Sequence, residues 1–352
     1  SVPPPAEGRP LNEIGPWVHI GGDGAITLSV GKAEVGQNIR TSLAQAVAEE
    51  LRVPLQGVRV VMGDTGRTPY DMGTFGSRTT PITGLQVRRT GAAARELLLD
   101  VAAATWNTAR GGLEIDNGTV REPAGGRSAT YAELARDRQM RRIATEDAPV
   151  TPPGEWSVAG RSAARVDGQA FVAGAHEFAS DVALPGMLSG KVLRPPAFGA
   201  LLQSLDSQSA EAIAGVKVLR DGNFVGIVAP DEHTAAQAID ALRPQWRMEL
   251  QVSQPELFEY LKANPVESVG RQGPYLTVEG SVADGLAQAH VALRQRYTVD
   301  YIAHVPLEPR VAVAHWVGDE LTVWTGSQRP FGVRAELSAV FGLPARHIRV
   351  IE

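Results

Sequence analysis

The sequence predicts an α+β fold in which two copies of a β-loop-α-β unit flank an inserted α/β segment. Three observations lead there. Hydrophobic positions recur at a constant offset of 290 residues, pairing Leu43, Val47 and Leu51 with Val333, Leu337 and Phe341, Pro54 with Pro344, and Val58-Arg59-Val60 with Ile348-Arg349-Val350. Each copy also opens on an alternating strand (Ile26, Leu28, Val30; Leu321, Val323, Thr325) after a Gly-Asp turn (Gly22-Asp23; Gly318-Asp319). Between the copies, from Gly168 to Leu242, short strand-like and helix-like runs alternate.

In chain order, a Pro-rich arm, Val2 to Pro10, precedes the first strand, Ala25 to Val30, whose apolar residues follow the period-2 pattern of a half-buried strand. A Gly-bounded loop, Gly31 to Asn38, hands over near Thr41 to a helix whose buried face is Leu43, Val47 and Leu51 and which Pro54 ends. Val58 to Val61 reads as a strand, Gly63 to Gly84 as a glycine-punctuated loop, and Gln86 to Trp106 as a long Ala/Leu-rich helix. Gly111 to Gly160, with a short helix near Tyr131 to Arg138, reads as connection. In the inserted segment, Leu201 to Leu205, Val216 to Leu219 and Val225 to Val228 are strand-like, and Glu211 to Ile213 and Thr234 to Leu242 helix-like. The last unit holds two strands, Arg310 to Trp316 and Leu321 to Trp324, joined at Gly318-Asp319 as a hairpin.

Composition narrows the chemistry. The 352 residues carry 34 Lys plus Arg against 39 Asp plus Glu, and this mildly acidic balance argues against nucleic acid as a partner. The absence of cysteine excludes disulfides, cysteine-ligated iron–sulfur clusters and a thiol nucleophile from this chain. No run approaches the roughly 20 apolar residues of a membrane span. The start lacks the charged and apolar regions of a signal peptide, which reads as cytoplasmic and leaves a periplasmic location open. The seven histidines are scattered without an HExxH pair, and no Walker A, GxGxxG or GxSxG motif occurs.

Two loops stand where a strand hands over to a helix N-terminus, one bearing Gln37 and one bearing Gln328. Backbone N–H groups point outward at such places and favour anionic ligands. The segment Gly63 to Thr80 adds four glycines, six Ser/Thr hydroxyls and the guanidinium groups of Arg67 and Arg78, a composition suited to close approach of a polyanion.

Taken together, Gly36-Gln37-Asn38, Thr41, Gln45 and Ala48-Glu49-Glu50-Leu51, with Gly63-Asp64-Thr65, Thr68-Pro69 and Gly73-Thr74-Phe75-Gly76-Ser77-Arg78, closely resemble the "GQG..T...Q..AEEL" and "GDT..TP..GT.GSR" segments of the molybdenum-binding subunit of the xanthine dehydrogenase/aldehyde oxidase family. The resemblance is to the isoquinoline 1-oxidoreductase β-subunit and nicotinate dehydrogenase branch. Asp181, Pro185-Gly186-Met187-Leu188, Arg194-Pro195-Pro196, Asp206, Gly215-Val216 and Val228-Ala229 resemble the family's α/β-hammerhead domain. His304 to Pro309 and Thr325 to Pro330 resemble its "H..(L/M)EP" and "TQ.P" segments.

The resemblance implies molybdenum-cofactor-binding β-loop-α-β units, duplicated, flanking an inserted hammerhead: a first cofactor-binding segment with its connection over 1–160, the hammerhead over 161–250, and a second, incomplete segment over 251–352. It implies a molybdenum pyranopterin in the cytosine dinucleotide form, held by hydrogen bonds rather than by protein–metal bonds. Gly36, Gln37 and Asn38 would contact the pterin or pyrophosphate, with Thr41 in the same set; Gly73, Thr74, Phe75, Gly76, Ser77 and Arg78 would wrap the phosphates, and Gln328 would sit near the metal. Asn38 stands where the family usually has a second glycine, and Ile302 where xanthine dehydrogenases have glutamine. For His304 and Glu308 a catalytic role and a purely backbone-fixing one both remain open. The family's base glutamate is expected outside this chain, so no catalytic residue is assigned here. The activity implied is hydroxylation of an N-heteroaromatic or aldehyde carbon with water-derived oxygen. The implied partners are a [2Fe-2S] small subunit, a C-terminal half or second polypeptide completing the site, a cytochrome c or flavin subunit, and a small-molecule substrate. The alternative is a non-catalytic fragment or an assembly and binding module that keeps the hammerhead.

Overall fold

The computed structural model describes residues 13–136, 142–265 and 278–352. The chain forms two compact units, one made of the residues up to Val182 together with Pro306–Glu352, the other of Ala183–Val305.

The first unit begins with β1 (Val18–Ile20) and β2 (Ile26–Val30), antiparallel about the Gly22-Asp23 turn. The expected helix is α1 (Ile39–Leu51), and β3 (Val58–Met62) returns parallel to β2, giving a sheet of order β1-β2-β3. A turn of π-helix, Thr79–Gly84, leads into α2 (Leu85–Trp106). The core lies between this sheet and the helices: Leu28, Val30, Val47, Leu51 and Val87 are all 0 % exposed. Gly91 lets α2 approach α1, since a Cβ there would stand 2.9 Å from Glu50 Cβ.

The stretch read as connection holds structure of its own. Strands β4 (Glu114–Asp116), β5 (Thr119–Glu122) and β6 (Arg127–Thr130) form an antiparallel sheet, and α3 (Tyr131–Ala135) follows with a Thr130/Glu133 capping box. Strands of three or four residues rich in Glu, Asp and Arg carry too few apolar positions to show a period in sequence. The end of the helix expected near Arg138 lies outside the described residues. The α4 turn (Gly168–Val172) closes this part.

In the second unit, β7 (Ser189–Val192), β8 (Leu201–Asp206), α5 (Gln208–Glu211), β9 (Lys217–Asp221), β10 (Phe224–Ala229), α6 (Glu232–Ala241) and β11 (Arg243–Arg247) build two antiparallel sheets, β7-β10-β9 and β11-β8. Strand and helix alternate as expected, with α5 three residues ahead of the helix read at Glu211. Leu202, Ala210, Val225, Ile227, Ala238 and Leu242 form its core. Asp231 caps α6 by accepting from Thr234 N at 2.8 Å. Two short helices, α7 (Leu257–Ala263) and α8 (Val282–Gln288), follow.

The chain returns to the first unit with β12 (Ala312–Val317), β13 (Glu320–Thr325), α9 (Pro330–Phe341) and β14 (Ile348–Ile351). β12 and β13 form the Gly318-Asp319 hairpin, and β14 pairs parallel with β13, giving the order β12-β13-β14. The agreement with β1-α1-β3 reaches the caps. Arg52 ends α1 and Gly342 ends α9, both in the left-handed region at φ 52° and 64°, and a 3-10 turn after each proline (Leu55–Gly57; Ala345–His347) enters the last strand.

Candidate functional site: three loops held together at strand ends

The loop after β2 is buried from its first residue. A Cβ on Gly31 would stand 2.4 Å from Pro69 O and 2.7 Å from Asp71 Cβ, so only glycine fits. Lys32, 5 % exposed, needs compensation for its charge. It donates to Gly73 O at 2.7 Å and pairs with Asp71 at 2.9 Å. Ala33 N donates to Thr74 Oγ1 at 2.8 Å, and Thr74 N donates to Gln328 O at 2.8 Å. Thus the Gln37, Gly73–Arg78 and Gln328 loops, 41 to 295 residues apart in sequence, are joined through a chain of hydrogen bonds.

The loop entering α1 is organised by Glu34. One carboxylate oxygen accepts from Gly36 N and Asn38 N, both at 3.0 Å, and the other from Arg40 N at 2.9 Å. The N–H groups expected to meet an anion are therefore already engaged by an internal carboxylate at the helix N-terminus. Gln37 folds back on its own loop, accepting from Val35 N at 2.7 Å and donating to Ala33 O at 3.1 Å. Asn38 takes φ 62°, a conformation glycine and asparagine tolerate, and its Oδ1 accepts from the buried Thr41 hydroxyl at 2.6 Å. Thr41 Oγ1 in turn accepts from Val166 N at 3.1 Å.

The other loop is built differently. Gly73 (φ 135°) and Thr74 are buried, whereas Phe75, Gly76, Ser77 and Arg78 are exposed. Gly76 and Ser77 are left-handed, at φ 67° and 55°, and Arg78 returns to φ −95°. A left-handed residue followed by a right-handed one turns successive N–H groups toward one point, the geometry of an anion nest. Among the described residues, none accepts from the main-chain N–H groups of Phe75, Gly76, Ser77 or Arg78. Gln328 is exposed, and His304 and Glu308 are exposed with them.

Gly63-Asp64-Thr65 is a clasp between the two sheets. Arg349 Nε and Nη2 donate to the two Asp64 oxygens at 2.9 and 2.6 Å. Thr65 N donates to Val350 O, and Val350 N to Thr65 Oγ1, both at 2.9 Å. The Asp64 carboxylate holds the Arg349 guanidinium above its ordinary pKa. Along α1, Gln45, Glu49 and Glu50 fasten the segment 149–161: Gln45 donates to Val158 O and Arg161 O, Glu49 accepts from Ser157, Val158 and Ala159 N, and Glu50 accepts from Thr151 N.

Among known protein families, the molybdopterin cofactor-binding domain matches residues 3–184 in one form and 268–352 in a second. The chain belongs to the molybdopterin cofactor-binding domain family. This molybdopterin-binding chain is 32 % identical over 350 residues to a nicotinate dehydrogenase subunit of Pseudomonas putida, a match covering 96 % of it and 29 % of that relative. It is 26 % identical to the β-subunit of isoquinoline 1-oxidoreductase of Brevundimonas diminuta, over 93 % of its own length and 48 % of that relative. The chain therefore spans less than half the length of these curated relatives. A solved quinoline 2-oxidoreductase from Pseudomonas putida 86 superposes with TM-score 0.45 at 21 % identity, over 54 % of this chain and 30 % of that one.

The donor set of the molybdopterin-binding chain fits a phosphate-bearing pterin at one loop in particular. Phe75 to Arg78 offer outward N–H groups and a guanidinium, and no Cβ stands on Gly76 to crowd them; the Gly36–Arg40 loop keeps its N–H groups on Glu34. Sequence reasoning missed Lys32, Glu34 and Asp71. For Lys32 a signal existed: a lysine between a buried strand end and Ala33 cannot stay unpaired. For Glu34 none did, because a carboxylate five residues ahead of a helix reads as ordinary polar loop.

Glu352 closes the far side of this loop, its Oε2 accepting from Glu34 N at 3.3 Å and its N donating to Gly63 O at 3.0 Å. Burial raises its carboxyl from 4.5 to about 8, against the hydrogen bond from Glu34 N and the charge of Arg40, with the charges of Glu34 and Glu308 adding. A folded carboxyl that keeps its proton longer than the unfolded one contributes stability below pH 4.5 that is lost as pH rises toward 8. The melting temperature is expected to fall between pH 5 and pH 9 more in the native chain than in Glu352→Gln. Equal slopes in the two proteins would contradict this.

Proposed function

We propose that this chain is the N-terminal half of a molybdenum hydroxylase large subunit. The observation that carries this reading is the joining of the three motif loops through Lys32, Thr74 and Gln328, in a chain of the molybdopterin-binding family whose relatives are named nicotinate dehydrogenase and isoquinoline 1-oxidoreductase. When bound, the molybdenum pyranopterin would supply the two-electron redox chemistry for hydroxylating an N-heteroaromatic or aldehyde carbon with oxygen from water.

This chain's own residues bind and orient. Gly76, Ser77 and Arg78 hold phosphate through the nest and the guanidinium, in keeping with a cytosine dinucleotide form, and Gly73, Thr74 and Phe75 form the base of that loop. Gly36, Gln37, Asn38 and Thr41 make the facing wall, whose shape Glu34 sets by holding the Gly36 and Asn38 N–H groups. Gln328, whose carbonyl accepts from Thr74 N, would hold the cofactor from the metal side. The base glutamate would lie in further polypeptide, and a [2Fe-2S] small subunit, with a cytochrome c or flavin subunit beyond it, would take up the electrons. In this reading the two parallel β-loop-α-β arrangements are a duplicated cofactor-binding unit, over 1–160 and 251–352, and 161–250 is the hammerhead. Among the described residues no helix is long and apolar enough to cross a membrane.

Two substitutions test the assignment. Gln37→Ala removes the two bonds its side chain makes to its own loop, and Gly76→Val strains a φ of 67° that valine rarely adopts. Each is expected to lower bound molybdenum in the purified complex about tenfold, a loss of about 1.4 kcal/mol of binding, with far-UV circular dichroism unchanged. Unaltered metal content in both would contradict the site.

A further inference from the structure

The two β-loop-α-β arrangements differ in what covers their helices. On α1, Val47, Glu50 and Leu51 are each 0 % exposed, and α2 lies along this helix with Gly91 at the closest approach. The 290-residue offset makes Leu337, Val340 and Phe341 their equivalents on α9. Sheet order, caps and 3-10 turns agree between the copies, so the same face should be covered. Leu337 packs partly buried against the core of its own sheet, but the rest of the face is bare: Val340 is 76 % and Phe341 51 % exposed. Trp316 on β12 stands edge-on to Phe341 at 5.5 Å between ring centroids and is itself 45 % exposed.

We propose that Val340, Phe341 and Trp316 form the docking surface for a helix of the polypeptide that completes this subunit, seated on α9 as α2 is seated on α1. This rests on the reading that the cofactor site is completed by further polypeptide, the relatives having more than half their length outside the matched region. The first copy shows the kind of element that fits, and the difference between the copies states its chemistry. Glu50 receives Arg88 and Arg95 from α2. Val340 offers no carboxylate, and Glu336, one turn away, already pairs with Arg329 at 3.7 Å, so a guanidinium buried against Val340 would be uncompensated. The docking helix is therefore apolar at the contact, with a small residue in the place of Gly91. The same argument disfavours a second copy of this chain, because its own long helix brings those two arginines and already lies on α1.

Photo-cross-linking in the complex as it assembles in its source organism tests this, with p-benzoylphenylalanine replacing Val340 or Phe341. Cross-links are expected in a helix outside residues 1–352 whose contact positions lack arginine. Cross-links to another copy of this chain or to the iron–sulfur subunit, or no protein cross-link, would overturn the proposal. Val340→Glu should lower recovery of the assembled complex roughly tenfold or more while leaving the melting of the 352-residue chain unchanged, since the site is exposed there; Val340→Ile should assemble normally. Full assembly of Val340→Glu would also overturn it. Molybdenum and cytidine nucleotide are measured in the same preparations. Their absence alongside the expected cross-links would remove the proposed function and leave the docking surface standing; their presence without cross-links would do the reverse.

Discussion

Glu50→Ala is expected to unfold this protein more readily than truncation of any other side chain in the candidate site or its supports. The carboxylate is fully buried and holds two guanidinium groups, Arg88 Nε at 2.8 Å and Arg95 Nη1 at 3.4 Å, whose side chains are only 17 % and 6 % exposed. It also accepts from the main chain and hydroxyl of Thr151 at 2.8 and 3.1 Å, while Arg88 stacks on Trp156 at 5.0 Å and bonds to Thr151 O. Removing it leaves Arg88 without a carboxylate, Arg95 with Glu96 alone at 3.1 Å, and the Thr151 N–H without its acceptor, which costs about 3–5 kcal/mol, against a total stability of order 5–15 kcal/mol. Thermal unfolding followed by circular dichroism should show a midpoint lower by roughly 10 °C, at about 2–4 °C per kcal/mol. Glu50→Gln keeps the shape and part of the bonding, so its midpoint should lie between the two. A Glu50→Ala midpoint within error of the native one would mean that α1, α2 and the segment 149–161 are not joined through this carboxylate.

Gly31→Val is expected to combine the next largest loss of stability with loss of the cofactor. The new Cβ would lie 2.4 Å from a main-chain oxygen, Pro69 O, and 3.0 Å from the Phe331 ring on α9, and neither is the free end of a flexible side chain. Overpacking of this kind costs about 1–3 kcal/mol. The strain falls where Lys32 and Ala33 hold Gly73 and Thr74, so it moves the loops apart. Bound molybdenum should fall by about tenfold or more, accompanied by a lower melting temperature, in contrast to Gly76→Val, where the metal falls alone. Normal metal content in Gly31→Val would show that the distance between these loops does not matter for binding.

Much of the architecture could be read from the sequence because it is carried by apolar periodicity. The apolar pattern located β2, α1, β3, β13, α9 and β14, whereas the parallel pairing of their strands and the left-handed caps at Arg52 and Gly342 came only with the structure. Elements held by polar contacts were silent. The β4-β5-β6 sheet has strands too short and too charged to show a period, and nothing local marks Glu49 and Glu50 as buried, although they are 4 % and 0 % exposed. Their partners, Ser157 to Ala159 and the Arg88/Arg95 pair, lie about 40 to 110 residues away, and nothing local announces them. The same holds for the motif glycines. Gly31 is glycine because two distant segments press on it, and Gly76 because its backbone turns left-handed to open a nest.

Nucleotide and metal quantification of the intact complex tests the central claim most directly. If the three joined loops hold a molybdenum dinucleotide cofactor, the complex carrying this chain should contain about one molybdenum per chain and release cytidine monophosphate in the same ratio on acid hydrolysis, and Gly76→Val should lower both together. A complex of full composition that contains neither molybdenum nor a cytidine nucleotide would contradict it.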